Sequence, residues 1–240
     1  VITVRDEYIR VEGLEIEVQG TNESYGILGD LEYIQDLSDI RLSHNIIGGT
    51  GTLAAWATGI SIFGYGSGND PLVKVWDNII YDFSTASASG IYGTWLGSPT
   101  IYIYNNTVYN CTFGYYRDTN GVFIAKNNIA FNNSSNDYYG SFNNASDNNL
   151  GEDAAFSGDS NYVQTTQTAA QMFVNPTGSP RNLHVLTTSD ATDAGADLSS
   201  DASLDFSDDI DGDSRPFASG WDIGADETTA LIAHWKLDDG

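Results

Sequence analysis

Hydrophobic and polar residues alternate in short segments that recur along the chain and share one form. The form is apolar, x, apolar, x, x, Asn, x, apolar, and "IYIYNNTV" at 101–108 shows it clearly. Related segments lie at 9–16, 40–47, 73–80 and 122–129, and a weaker copy ends at 146–150. Because successive side chains of a β-strand point to opposite faces, each segment predicts a strand that a turn interrupts at the asparagine.

The asparagine position recurs every 21 to 33 residues, which is the period of a repeat architecture. It falls at Asn45, Asn78, Asn106, Asn127 and Asn148, and Leu14 takes its place in the first copy. A propeller would have a longer and more constant period, and a leucine-rich repeat would have a helical half. Short strands, tight turns and loops of variable length instead predict an all-β solenoid, a parallel β-helix whose rungs stack their apolar side chains into one core.

The paired asparagines have a physical reason to recur at the turn. Asparagine adopts the left-handed backbone region more readily than most other non-glycine residues, so it can turn the chain sharply between two sheets. Its side-chain amide can then hydrogen-bond to the asparagine of the next rung. The sequence therefore predicts a structural ladder of Asn45, Asn78, Asn106, Asn127 and Asn148. The alternative is that the pairs only mark surface turns.

A second set of strand-like segments precedes the first set and predicts another long sheet. These segments lie at 25–30, 59–66, 90–96 and 113–118. The loops between the two sets vary in length, and variable loops on a rigid scaffold often carry functional residues.

The repeats over residues 1–150 resemble the rungs of the pectate-lyase-like right-handed parallel β-helix superfamily. The segment "DATDAGADL…DIDGDSRPFASGWDIGADE" at 190–227 resembles the closing segment of large secreted bacterial β-helix surface proteins. The last residues, "ALIAHWKLDDG" at 230–240, resemble the first strand of a laminin-G, concanavalin A-like jelly roll. The resemblance implies a secreted or cell-surface location and a large parent protein, but no particular activity.

These patterns predict that the chain is divided into three parts. Residues 1–150 are expected to be the β-helix rungs, and further rungs are expected upstream because the strand pattern is already present at Val1. Residues 151–227 are expected to be a loop-rich C-terminal cap, in which 183–186, Phe206, Trp221 and Ile223 cover the open end of the helix. Residues 228–240 are expected to be a linker and the first strand of a following domain.

The charge balance excludes some partners. Nine Lys and Arg residues against 33 Asp and Glu give a formal net charge of −24, which repels nucleic acids and anionic membranes. The one cysteine, Cys111, has no partner for an internal disulfide. No apolar run approaches the roughly 20 residues that span a bilayer, so no membrane span is expected.

The search for catalytic groups assigns none. Arg117 and Asp118 are adjacent, so on a strand their side chains point to opposite faces. Lys126 is a candidate base in a turn column predicted as His44, Asp77, Asn105, Lys126 and Asp147. A predicted outward column of Arg10, Arg41, Lys74, Tyr102 and Phe123 is a candidate site for a polyanionic glycan. The alternative is that these cations form exposed ion pairs, which contribute about 0–1 kcal/mol each.

Aromatic residues give a candidate glycan-binding groove, because aromatic rings can stack on sugars. The candidates are Tyr92, Trp95, Tyr115, Tyr116, Tyr138 and Tyr139, and strand alternation predicts that about half of such residues belong to the core.

Asp209, Asp211 and Asp213 alternate around Gly212 and form a candidate Ca²⁺ site. Carboxylate oxygens at this spacing suit Ca²⁺, although the twelve-residue loop of an EF-hand is absent. The alternative is that the aspartates initiate turns and that Arg215 pairs with one of them. No cofactor is required on this evidence, and Ca²⁺ is the only candidate.

Three functions from different classes remain. The first is an extracellular structural or adhesive module that self-associates through its N-terminal end or through the strand at 230–237. The second is a non-catalytic polysaccharide-binding module. The third is a polysaccharide lyase or hydrolase, which the lack of convergent acid and base residues disfavours. The sequence leaves open whether the chain is an enzyme.

Overall fold

The computed structural model describes residues 1–22, 24–30, 38–64, 71–95, 99–118, 121–217 and 219–228, with the backbone alone at Thr94 and Trp95. The strand predicted at 230–237 lies outside these residues. The described chain is almost entirely β, and its one α-helix, α1, is the four-residue segment Ala169–Met172. No helix in the described part is long and apolar enough to cross a membrane.

The first eleven strands alternate with short turns. They are β1 (Ile2–Val4), β2 (Arg10–Glu12), β3 (Glu15–Gly20), β4 (Tyr25–Asp30), β5 (Asp39–Ser43), β6 (Ile46–Leu53), β7 (Thr58–Gly64), β8 (Leu72–Trp76), β9 (Ile79–Tyr81), β10 (Ser89–Trp95) and β11 (Thr100–Tyr104). The others are β12 (Thr107–Tyr109), β13 (Phe113–Arg117), β14 (Val122–Lys126), β15 (Ile129–Phe131), β16 (Asn136–Tyr139), β17 (Leu150–Gly151), β18 (Val163–Gln164), β19 (Phe173–Asn175) and β20 (Asn182–Val185).

Eighteen of these strands form three parallel sheets, each of which takes one strand from successive repeats. Sheet A has the order β1-β4-β7-β10-β13-β16, sheet B the order β14-β11-β8-β5-β2, and sheet C the order β18-β17-β15-β12-β9-β6-β3. β19 and β20 form a separate antiparallel pair. Three parallel sheets built in this way are compatible with the predicted parallel β-helix.

The core lies between the sheets and is built from aligned columns of side chains. In sheet A, Ile27, Ile60 and Ile91 are paired in register, and Tyr115 and Tyr138 continue the column. All five are buried. Each rung therefore covers the apolar side chain of its neighbour, which is why the apolar pattern must repeat from rung to rung.

A row of hydrogen-bonded asparagines runs along the interior at the turn between sheets B and C. Its members, here called the asparagine row, are Asn45, Asn78, Asn106, Asn128 and Asn149. Each Nδ2 donates to the Oδ1 of the next member at 2.8 to 3.0 Å, and all five side chains are fully buried. The backbone N–H of each of the first four donates to the same oxygen. The carboxylate of Asp159 ends the row, 2.8 Å from Nδ2 of Asn149.

The prediction of Asn127 and Asn148 as ladder members is wrong by one residue. Ile101 is paired with Phe123, so Phe123 and Ala125 point into the core where the sequence alignment placed Val122 and Ile124. A shift of one residue reverses the face of every side chain in a strand. Phe123 consequently leaves the predicted outward column, and Ile124 takes its place.

The residue before each row member carries the turn. His44, Asp77, Asn105, Asn127 and Asn148 have φ between 47° and 55°, and we call them the turn column. In the pairs Asn105–Asn106, Asn127–Asn128 and Asn148–Asn149, the first residue therefore adopts the left-handed conformation and the second joins the asparagine row. The prediction that one asparagine performs both tasks is corrected in this way, as is the placement of Lys126 and Asp147 in the turn column.

The turn column also holds the C-terminal segment against the sheets. Asn105 Nδ2 donates to the carbonyl oxygens of Asp222 and Gly224 at 3.1 and 3.0 Å. Asn127 exchanges two hydrogen bonds with the backbone of Ala196, both at 2.8 Å. Asn105 and Asn127 thus bind main-chain groups more than 65 residues further along the chain.

Residues from about 165 to 228 cover the outer faces of two sheets. Leu204 and Trp221 pack on Trp76 and Tyr104 of sheet B. On sheet C, Phe173, Leu183 and Ile223 pack on a set that includes Tyr109 and Phe131. The prediction that 183–186, Phe206, Trp221 and Ile223 cover an end of the core is therefore wrong, because these residues pack on the outer faces of sheets B and C.

The last rung of the core is covered by a different aromatic group. Phe156 stacks on Tyr138 with ring centroids 4.5 Å apart, and Phe142 and Tyr162 contact the same ring edge-on. Among the described residues of the predicted cap, Phe156 and Tyr162 contact this end of the core.

A column of glycines lets sheets A and C approach each other. Gly26, Gly59 and Gly90 occupy equivalent positions, and a Cβ atom there would lie 2.3 to 2.6 Å from Ile47, Ile80 or Val108 of sheet C. Gly114 continues the column, and Asp137 takes the next position, in the last rung, where it is buried. Its carboxylate accepts the backbone N–H groups of Glu152 and Asp153. Burial, partly opposed by these hydrogen bonds, raises the pKa of Asp137 to about 6.

We expect Asn106→Ala to lower the free energy of unfolding by about 3 kcal/mol, because it leaves the buried amide groups of Asn78 without their acceptor. Urea denaturation measures the change. The exposed Asn144 serves as the matched control, and Asn144→Ala should change stability by less than about 0.5 kcal/mol. Equal effects of the two substitutions would show that the asparagine row contributes nothing particular to stability.

Asp137 should make stability depend on pH. The unfolded chain ionises this carboxyl near its ordinary pKa of about 4, whereas the folded chain keeps the proton up to about pH 6. The unfolded state therefore binds fewer protons in this window, and stability falls by up to about 3 kcal/mol as the pH rises through it. Urea denaturation of Asp137→Asn between pH 4 and 6 should show a smaller fall. The exposed variant Asp6→Asn should keep the fall of the original chain, and the same fall in Asp137→Asn would contradict the assignment.

Candidate functional site

The outer face of sheet A differs from those of sheets B and C, because the described part of the C-terminal segment packs on sheets B and C. None of the described residues after 164 belongs to a hydrophobic cluster with an outward side chain of sheet A. The parallel register sets its side chains in columns, and one outward column reads Leu28, Ser61, Tyr92, Tyr116 and Tyr139. This face is therefore the candidate functional site.

Three tyrosines of that column form a continuous row of rings. The ring centroids of Tyr92 and Tyr116 lie 5.2 Å apart, and those of Tyr116 and Tyr139 lie 4.6 Å apart. Phe113 contacts the edges of both Tyr116 and Tyr139. Strands in a sheet are about 4.8 Å apart, so aromatic side chains in register on neighbouring strands come into contact by geometry alone.

The row continues into a groove of about 190 Å³ with both aromatic and hydroxyl groups in its wall. The lining residues are Tyr25, Trp56, Thr58, Ser61, Phe63, Ser87 and Tyr92. Ser61 is the small member of its column and lies in the wall of the groove, where it is buried. We call this groove and the row of Tyr92, Tyr116 and Tyr139 together the aromatic face.

Trp56 is the most accessible ring of the aromatic face, and its side chain is held out by the backbone. It is 60% exposed and has φ of 69°, a left-handed conformation that a bulky residue rarely adopts. Its N–H donates to the carbonyl of Ala86 at 3.0 Å, and its own carbonyl accepts the hydroxyl of Thr58 at 3.1 Å. Such costly conformations often occur at functional sites, and here the cost maintains an exposed indole.

Hydrogen-bonding groups accompany the rings. The hydroxyl of Tyr92 donates to Asp118 at 3.2 Å. Burial and the nearby Asp118 raise the pKa of Tyr116, so this phenol stays neutral and can donate a hydrogen bond at physiological pH. The aromatic face thus combines flat apolar rings with neutral hydroxyls and one carboxylate.

The structure divides the predicted tyrosines between core and surface. Tyr92, Tyr116 and Tyr139 point outward, whereas Tyr115 and Tyr138 are buried and stack on each other at 4.9 Å. The hydroxyls of these two inner tyrosines donate to backbone carbonyl oxygens. Tyr115 and Tyr138 are therefore removed from the candidate binding set, and the side chain of Trp95 lies outside the described residues.

Sequence reasoning missed Trp56, Tyr25 and Phe63. Tyr25 and Phe63 stand in recognised strand segments, but no repeat aligned them with the later tyrosines. Trp56 lies in a loop just before β7, outside any alternating pattern. The available signal was a single tryptophan in the loop 54–57, whose other three residues are alanines.

The predicted basic column consists of paired cations. Arg41 lies 2.6 Å and Lys74 3.2 Å from Asp39, and Arg10 lies 3.4 Å from Glu12. Lys126, the candidate base, lies 2.7 Å from Asp201. Arg117 donates to the carbonyls of Ser141 and Gly121. The ion-pair alternative therefore accounts for the basic column without a polyanionic ligand.

The aspartates of the candidate Ca²⁺ site have protein partners. Asp209 is buried, and its carboxylate accepts three backbone N–H groups, those of Asp211, Asp213 and Glu227. Asp211 lies 2.7 Å from Nε2 of His184. The three carboxylates do not form one of the described clusters whose ligand atoms converge for a metal ion. The assignment of Ca²⁺ to Asp209, Asp211 and Asp213 stays a prediction.

Comparison with known proteins adds no family to this description. No protein-family model matches the chain, and neither the curated proteins nor the solved structures include a match.

Proposed function

We propose that the chain is a rigid extracellular parallel β-helix module, right-handed like the superfamily it resembles, that binds a neutral polysaccharide along its aromatic face. It acts as an adhesive part of a larger secreted or surface protein and does no chemistry on the glycan. The observation that supports this proposal most strongly is the exposed Trp56 beside the row of Tyr92, Tyr116 and Tyr139.

The dimensions and chemistry of the aromatic face suit an extended sugar chain. From Tyr25 on β4 to Tyr139 on β16 there are four strand spacings, or about 19 Å. Indole and phenol rings offer flat apolar surface to the C–H face of a sugar, and their polar atoms suit a wet interface. The hydroxyls and Asp118 supply partners for sugar hydroxyls.

Charge favours a neutral ligand. The net charge of −24 opposes any polyanion, and the basic residues of sheet B are occupied by acidic partners. The aromatic face itself recognises ligands through rings and hydroxyls, whose interactions depend little on salt.

The rings of the aromatic face are held in position before a ligand binds. The tyrosine rings and Phe63 stand on hydrogen-bonded strands of sheet A, and two backbone hydrogen bonds hold the loop residue Trp56. The positions of the rings are therefore set before the ligand arrives. Side chains that are already ordered lose less conformational entropy on binding, which favours affinity.

We expect Trp56→Ala to weaken binding to a neutral polysaccharide by about tenfold, because one stacking contact is lost. Affinity electrophoresis through gels that contain neutral plant or microbial polysaccharides measures the change. Phe217→Ala removes another exposed aromatic ring, 43% exposed on the C-terminal segment, and should leave migration unchanged. Unretarded migration of the original chain in every gel, or equal retardation of Trp56→Ala, would contradict the proposal.

A second candidate function is self-association into rods, and the sheet edges favour it. Among the described residues, β1, β2 and β3 are the terminal strands of sheets A, B and C. Leu14 beside them is 40% exposed. Exposed edges pair readily with strands of another molecule.

Analytical ultracentrifugation tests this second function. Association that increases with concentration, that electron microscopy shows as end-to-end particles and that Leu14→Lys weakens would support it. A monomer at all concentrations would contradict it, without affecting the polysaccharide proposal.

A further inference from the structure

Three ligand atoms converge where the turn column meets the C-terminal segment, away from the aromatic face. Nε2 of His44 lies 4.0 Å from Oδ2 of Asp77 and 3.8 Å from Oδ2 of Asp208. The three atoms all lie within 4.8 Å of one another. They come from the turn after β5, the turn after β8 and the segment that covers sheet B.

Two of these atoms are buried without a hydrogen-bond partner. The side chain of Asp77 is fully buried, and its Oδ2 has no partner, while its Oδ1 accepts a hydrogen bond from Arg215 at 3.2 Å. Nε2 of His44 is likewise buried and unpartnered. An unsatisfied buried polar atom destabilises the folded state by about 1–3 kcal/mol. Nε2 of His44 and Oδ2 of Asp77 face each other, so one shared partner would satisfy both atoms.

The local charge favours a cation as that partner. Arg215 is the cation in contact with Asp77, and it also pairs with Glu227 at 3.0 Å. Its single positive charge is therefore shared, while Asp208 adds a further carboxylate beside His44. Arg215 also fixes the orientation of the Asp77 carboxylate, as groups behind a metal ligand commonly do.

The donor set indicates which cation fits. One imidazole nitrogen and two carboxylate oxygens are ligands of Zn²⁺, whereas Ca²⁺ and Mg²⁺ take oxygen ligands almost alone. Tetrahedral Zn²⁺ holds its ligand atoms about 3.3 Å apart, so the 4.0 and 3.8 Å distances from Nε2 of His44 must shorten when the ion binds, as must any separation of the two carboxylate oxygens above that value. Asp208 has an exposed side chain that can make this movement.

A solvent route leads to the site. A groove of about 390 Å³ is lined by His44 and Asp208 together with Trp76, Phe206 and Ser214. Water can therefore occupy the fourth coordination position, and the metal can enter without opening the core.

We propose that His44, Asp77 and Asp208 form a Zn²⁺ site that fastens the C-terminal segment to the turns of sheets B and C. A bound ion links three elements that are distant in the chain and stabilises the folded state by mass action. The site is independent of the polysaccharide proposal.

A second cluster provides the internal comparison. His184, Asp211 and Asp226 also converge, but His184 and Asp211 are already hydrogen-bonded at 2.7 Å, and Asp226 accepts the N–H of Val185. Because these groups have partners, we assign the metal to the first cluster.

The test is calorimetric titration of the chelator-treated chain with ZnCl₂, repeated with CaCl₂, together with thermal unfolding in each salt. His44→Asn is a suitable variant because asparagine occupies the same left-handed position at Asn105, Asn127 and Asn148. Asp208→Asn removes the exposed ligand. Asp205→Asn alters another exposed carboxylate of the same groove, and His184→Asn disables the second cluster.

We expect one Zn²⁺ per chain, a higher unfolding temperature with Zn²⁺ than with Ca²⁺, and at least about tenfold weaker Zn²⁺ binding in His44→Asn and Asp208→Asn. Asp205→Asn and His184→Asn should bind Zn²⁺ as the original chain does. Absence of Zn²⁺ binding, unchanged affinity in His44→Asn and Asp208→Asn, or loss of binding in His184→Asn alone would overturn the proposal. The absorption spectrum of the Co²⁺-loaded chain gives a second readout, which should lose its tetrahedral bands in His44→Asn.

Discussion

The buried hydrogen bonds between asparagine side chains constrain the rest of the structure. A carboxamide in the interior must satisfy both its N–H groups and its oxygen, and in the asparagine row each does so only when the neighbouring rung stands in register. A register shift would bury several unpaired polar groups at once. The row therefore fixes how the rungs align, and the apolar columns then supply most of the stabilising burial.

The turn column attaches the C-terminal segment to the aligned sheets. Because its residues are left-handed, their side chains face away from the asparagine row and bind the C-terminal segment. The described part of that segment covers sheets B and C and adds no residue to a hydrophobic cluster on the outer face of sheet A. The location of the aromatic face thus depends on two adjacent residues in each repeat, one that aligns the rungs and one that anchors the covering segment.

The repeat pattern was sufficient to predict parallel strands, their approximate positions and the inward turns at Asn45, Asn78 and Asn106. It failed at Asn127 and Asn148 because "VFIAKNNI" fits the pattern in two registers, and only the pairing of Ile101 with Phe123 selects one. Alternation could not separate Tyr115 from Tyr116 without that register. The groove at Trp56 and the convergence of His44 with Asp208 depend on contacts between distant segments, which no local pattern encodes.

The most direct measurement of the asparagine row is hydrogen exchange of side-chain carboxamides by NMR in the folded chain. If the row aligns the rungs, the Nδ2 protons of Asn78, Asn106 and Asn128 should exchange only on global unfolding, orders of magnitude more slowly than those of the exposed Asn144. Asn127 should exchange faster than Asn128, because its partner lies on the covering segment. Fast exchange at Asn78, Asn106 and Asn128 would show that these amides are not held in a buried row and would contradict the proposed alignment of the rungs.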